Sequence, residues 1–84
     1  HNLARQNNMT KFMLILYLCT SVSGTPKCNQ ESIVSYQFAN WSDCLIQGYR
    51  MSHNRIIEMY DIDEVNMDRL ALRFECKEFK TENT

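Results

Sequence analysis

Phe12-Met-Leu-Ile-Leu-Tyr-Leu-Cys19 is a run of eight apolar residues in an otherwise polar chain of 84. It reads either as a central β-strand or as the hydrophobic part of a cleaved signal peptide, and fold, redox compartment and location all follow from that choice. For the signal peptide speak Lys11 as a positive n-region and Ser21-Val22-Ser23 before Gly24 as a small-residue cleavage site. Against it, cleavage after Ser23 would remove Cys19, leaving three cysteines, and would take away the only segment apolar enough for the buried middle of a sheet. The strand is therefore the preferred reading. A lipid anchor at Cys19 is disfavoured by the bulky Leu18 before it.

Outward from this run, Ser23-Gly24 reads as a two-residue turn. A hairpin closed there pairs residues whose numbers sum to 47, which sets Cys19 opposite Cys28, Met13 opposite Val34 and Leu14 opposite Ile33. Opposed residues of antiparallel strands lie about 4.5–5.5 Å apart, within reach of a disulfide. Pro26 cannot donate to a ladder, so the second strand belongs at an edge, with a break expected around Asn29 to Glu31. Val34, Tyr36 and Phe38 alternate with polar residues in the period of a half-buried strand.

Asn40 is suited to cap a helix, with Asp43 in the first turn, and Leu45, Tyr49, Ser52, Ile56 and Met59 form an apolar stripe from about Trp41 to Tyr60. Gly48 beside that stripe predicts a close approach of helix to sheet. Arg50, Asn54, Arg55 and Glu58 are expected mostly in solvent. Asp61 to Asp68 reads as an acidic connection. Leu70, Leu72, Phe74 and Cys76 then alternate with Ala71, Arg73, Glu75 and Lys77 in the clearest strand of the chain.

These elements predict a small two-layer α+β domain of ββαβ order, with a three-stranded antiparallel sheet in the order 2-1-3 and one helix on one face. Its expected extent is 11–80, with 1–10 a disordered leader, Met9 a plausible true start, and 81–84 a disordered tail. The topology brings Cys44 and Cys76 to one end of the sheet and Cys19 and Cys28 to the other. Two separate pairs follow, with oxidation to disulfides the expectation and buried thiols the alternative. Each disulfide contributes about 2–4 kcal/mol, which matters in a chain this short.

Several functions lack support in the sequence. The net charge of −1 and interspersed charges offer no nucleic-acid footprint, and eight apolar residues fall well short of the roughly 20 needed for a membrane-spanning helix. The distance between the cysteine pairs argues against a four-cysteine metal site, and Asp61, Asp63 and Glu64 lack the glycine and distal glutamate of an EF-hand. No cofactor is implied. His53 reads as a surface residue. Asn8-Met9-Thr10 and Asn40-Trp41-Ser42 match the glycosylation sequon, but the first lies in the leader and Asn40 is engaged as a cap. Trp41, Tyr49 and Tyr60 read as packing residues. No nucleophile–base pair, paired carboxylates or phosphate loop points to an enzyme. On the uncovered face Met13, Ile15 and Tyr17 form an expected apolar patch, a candidate surface for a homodimer or another partner.

An apolar start ending in Cys19, then Gly24, Cys28, Phe38, Asp43-Cys44, Gly48-Tyr49 and the closing Phe74-Glu75-Cys76-Lys77-Glu78, resembles short uncharacterised open reading frames of tailed phages from marine samples. The resemblance covers about Met9 to Glu78 and departs from the pattern over His1 to Asn8. It implies a viral origin, adds weight to the strand reading and implies nothing catalytic. The expectation is a non-enzymatic phage accessory protein acting by protein–protein contact, with a host or virion protein or a second copy as partner, in the host cytoplasm or on the virion. The alternative is a small secreted, disulfide-containing protein cleaved near Ser23.

Overall fold

A computed structural model describes residues 8–34 and 37–82, with the backbone alone for residues 8, 9, 81 and 82. The elements are β1 (Asn8–Thr20), β2 (Lys27–Ile33), α1 (Trp41–Glu58), α2 (Ile62–Asp68) and β3 (Ala71–Glu82). The three strands form one antiparallel sheet in the order β2-β1-β3. The apolar run is its centre: Leu14 and Leu16 are fully buried and Ile15 is 6 % exposed, so β1 buries side chains on both of its faces. A strand paired on both sides satisfies its backbone in the sheet, which lets its side chains be apolar on both faces.

Pairing of β1 with β3 reaches from Cys19↔Ala71 to Asn8↔Glu82 without a shift. The ladder thus runs into both stretches expected to be disordered, because β-pairing there needs only backbone groups and not a hydrophobic face. Residues 1–7 and 83–84 lie outside the described residues.

On the other side, Thr20↔Lys27 to Tyr17↔Gln30 keep the register expected from Ser23-Gly24, with Cys19 opposite Cys28. The connection is longer than two residues. Gly24 donates its N–H to the Ser21 carbonyl at 3.1 Å and adopts φ 90°, a conformation that suits glycine. Between Tyr17 and Leu16 the register shifts, since Leu16 pairs with Ser32 and Glu31 is left as an extra, bulged residue. Ile33 consequently faces Ile15, not Leu14, and Val34 donates to the Leu14 carbonyl at 3.0 Å. The expected alternating strand ends here. Ser35 and Tyr36 lie outside the described residues, and Phe38 returns to exchange two backbone hydrogen bonds of 2.9 Å with Phe12.

Asn40 caps α1 by accepting the Asp43 N–H at 2.9 Å. The buried face of α1 is centred on Cys44 and Gly48, with Met51 packed on the core, so it is rotated from the expected stripe. Tyr49 and Met59, expected inside, are 69 % and 62 % exposed. The cause is size. A Cβ on Gly48 would sit 2.4 Å from the Phe74 ring, so the helix axis lies as close to β3 as that glycine allows, and a disulfide pulls Cys44 to Cys76. Leu14, Phe38 and Cys44 form the core there, with Phe12, Val34, Phe74 and Cys76 around them. The acidic connection contains α2, a seven-residue helix with no buried residue that ends at Arg69 in the left-handed region. Its pattern lacks a core-facing stripe, which is why it read as a loop.

Candidate functional site

The four cysteines form two disulfides, Cys19–Cys28 across β1 and β2 and Cys44–Cys76 between α1 and β3. They close segments separated by 9 and 32 residues. Two disulfides belong to an oxidising environment. Among the described residues no group of three or more His, Cys, Asp or Glu could hold a metal ion, and no helix is long and apolar enough to cross a membrane. His53 is exposed, its ring nitrogen near the Asn54 side chain.

The expected patch on the open face is only partly available. Ile15 is buried in the monomer, flanked on neighbouring strands by Ile33 and Glu75. Met13 and Tyr17 are half-buried. Tyr17 donates its hydroxyl proton to Glu75 at 2.9 Å, across the diagonal of the sheet. That hydrogen bond, with some desolvation and the nearby negative charge, raises the phenol's pKa. Arg73, Glu75 and Lys77 share this face and keep it polar along β3.

A concave apolar surface lies on the other face of β3. There α1 and the free edge of the sheet enclose an open groove of about 650 Å³, walled by Trp41, Leu45, Tyr49 and Ser52 and floored by β3 from Leu72 to Cys76. Trp41 stands edge-on to Phe12 at 5.6 Å between ring centres and Tyr49 edge-on to Phe74 at 4.8 Å, an arrangement favoured by the ring quadrupoles. Both rings are held by the core yet remain 51 % and 69 % exposed. Among the described residues the buried Ser52 hydroxyl has no hydrogen-bond partner. Reading the aromatic residues as packing groups catches one half of their role; their exposure depends on the helix rotation set by Cys44 and Gly48.

Among the described residues, the groove floor also has strand backbone without a partner. Phe12 exchanges hydrogen bonds with Phe38, and Leu14 accepts from Val34, so the even-numbered residues of β1 spend their backbone groups on the β2 side. Odd-numbered residues of β1 then serve β3, pairing through Ala71, Arg73, Glu75 and Lys77. Leu72, Phe74 and Cys76 accordingly turn their N–H and C=O groups away from the sheet, toward the groove.

The opposite edge carries a clamp. The bulged Glu31 accepts a hydrogen bond from Arg55 at 2.7 Å, in a half-buried ion pair, and another from the Tyr60 hydroxyl. Arg55, expected in solvent, is thus drawn to β2. The hydrogen bond to Glu31, with desolvation and the carboxylate charge, pushes the Tyr60 pKa up to about 12.

In comparison with known proteins, the chain matches no family model, no curated protein and no solved structure.

Proposed function

We propose that this chain is a small, non-enzymatic protein that acts by protein–protein contact in an oxidising environment, using the groove between α1 and the free edge of β3 as its contact surface. The observation that carries this reading is the pairing of two anchored, exposed aromatic rings, Trp41 and Tyr49, with unpaired strand backbone on the groove floor. Rigid aromatic rings contribute contact area at low entropic cost, and an open strand edge contributes hydrogen bonds. The open face serves less well, because Ile15 is already buried and β3 lines that face with the charged Arg73, Glu75 and Lys77, leaving Ile33 as its exposed apolar neighbour.

The sequence constellation from Cys19 to Glu78 supports a phage accessory protein with a host or virion component, or a second copy, as partner. A virion or extracellular setting accords with two disulfides better than a reducing cytosol does. Release by cleavage near Ser23 would remove β1 from the centre of the sheet and leave Cys28 without Cys19, so the secreted reading fits this fold only with β1 retained.

A photo-crosslinking residue at Tyr49, compared with one at the distant exposed Val22, tests the contact surface. Covalent protein adducts from Tyr49 and not from Val22 are expected. Adducts from Val22 alone, or none from Tyr49, would overturn the assignment.

A further inference from the structure

We infer that the occupant of this groove is a second copy of the chain, whose β3 pairs antiparallel with the first about a two-fold axis at Phe74, joining two three-stranded sheets into one of six. The inference rests on the contact reading above and adds the partner and the register.

Three observations select this pairing. The first is hydrogen-bond parity. Leu72, Phe74 and Cys76 present outward N–H and C=O groups, and a two-fold at Phe74 sets Phe74 against Phe74 and Leu72 against Cys76 of the other copy, so that every one of these residues meets a residue with outward groups.

The second is charge. On the open face of β3 the order is Arg73, Glu75, Lys77, and this register sets Arg73 of each copy opposite Glu75 of the other, with Lys77 against Ala71. Moving the axis to Glu75 sets Glu75 against itself and Arg73 against Lys77, and moving it to Arg73 sets Arg73 against itself; like charges directly opposed destabilise a pair. An axis at Cys76 also matches charges, Glu75 with Lys77, but on the helix face it sets Glu78 against Phe74 and Lys80 against Leu72. Only the Phe74 register among these matches charges on one face and, from Leu72 to Cys76, apolar residues on the other; Glu78 then meets Leu70, beyond the end of the strand. Arg73 and Lys77 have no ion-pair partner within the chain among the described residues.

The third is the groove, which is floored by Leu72 to Cys76 and therefore centred on Phe74 itself. A two-fold perpendicular to the sheet keeps both α1 helices on one face, so the two grooves merge and Tyr49 and Trp41 of each copy line a shared cleft. The edge offered is also regular, with no bulge or proline from Ala71 to Glu82.

Sedimentation equilibrium of the full chain in oxidising buffer, with amide hydrogen exchange at several concentrations, tests the inference. The expected result is a dimer in which protection of the Leu72, Phe74 and Cys76 amides rises with concentration while that of Arg73 and Glu75, already paired to β1, does not. Arg73→Glu, on an exposed position, should weaken the dimer by about tenfold through two like-charge pairs. The swapped chain Arg73→Glu/Glu75→Arg should restore it; unchanged far-UV circular dichroism checks that both variants fold. A chain that stays monomeric to millimolar concentration overturns self-pairing, and so does a dimer indifferent to Arg73→Glu without added edge protection. In either case the Tyr49 crosslink decides the contact reading separately: adducts of twice the chain mass support the second copy, whereas adducts only with another protein keep the groove and reject self-pairing.

Discussion

The two edges of this sheet are built in opposite ways. The β2 edge is short, follows Pro26, carries a bulge at Glu31 and is clamped to the end of α1 by Arg55 and Tyr60. Such devices stop a strand from templating another. The β3 edge is twelve residues of unbroken register with outward backbone groups beside exposed aromatic rings. Its defence is charge alone, Arg73, Glu75 and Lys77 on one face and Glu78 and Lys80 toward the end of the other. An open edge is therefore not a by-product of a small sheet here, since the same chain blunts its other edge with four separate features.

The largest difference between the two edges lies in the ties that hold α1 against β3. Replacing Cys44 and Cys76 by alanine removes a link between residues 32 apart, worth about 4 kcal/mol from unfolded-chain entropy, while the same change at Cys19 and Cys28, 9 apart, costs about 3 kcal/mol. Urea midpoints of the two variants should fall in that order. A larger loss from the hairpin pair would mean that the β2 side, not the helix tie, carries the fold.

Next in size is Gly48→Ala. Alanine gains about 1 kcal/mol in helix propensity, but its methyl would meet the Phe74 ring at 2.4 Å, and the overpacking should leave a net loss of about 1–2 kcal/mol. A higher melting temperature would show that α1 can lift from β3 without cost and that the groove is not rigid.

At the blunted edge, Glu31→Gln removes the charge from a half-buried pair and weakens two hydrogen bonds, for an expected loss of about 1 kcal/mol. Exchange of β2 amides should quicken with little change in β3. Equal quickening at β3 would sink the idea that the clamp acts locally.

The smallest effect is on pH. The Tyr60 pKa is raised from 10.0 to about 12 in the folded chain, so its proton is held more tightly folded than unfolded. Its stabilising contribution is complete below pH about 10 and is lost as pH climbs toward about 12. Tyr60→Phe should flatten the fall of stability over that window. A variant that declines as steeply as the parent would place the alkaline sensitivity elsewhere, with Tyr17, also raised by Glu75, as the next residue to replace.

Much of the architecture was legible because it follows from patterns that local physics enforces. Apolar residues on both faces of Phe12 to Cys19 announce a central strand, the alternation from Leu70 to Lys77 announces a half-buried one, and Ser23-Gly24 sets the parity that opposes Cys19 to Cys28. Asn40 and Asp43 mark the helix start. The bulge at Glu31 was legible only as a break, since its benefit, the Arg55 and Tyr60 clamp, comes from residues 24 and 29 positions away. The rotation of α1 was legible in Gly48 and Cys44 but not in the apolar stripe. Counting apolar residues favours Tyr49 and Met59 as inward, whereas the packing selects the small residues Cys44 and Gly48, because the closest approach of a helix to a sheet is made where side chains are smallest.

Strand order, the hairpin register from Thr20 to Tyr17 and both cysteine pairings follow from periodicity and turn position along the chain. Which surface is accessible came from packing, which buried Ile15, exposed Trp41 and Tyr49, and left the backbone of Leu72, Phe74 and Cys76 facing outward. Exposure depends on how elements distant in sequence pack against one another, and that packing is set by shapes that meet only in the folded chain.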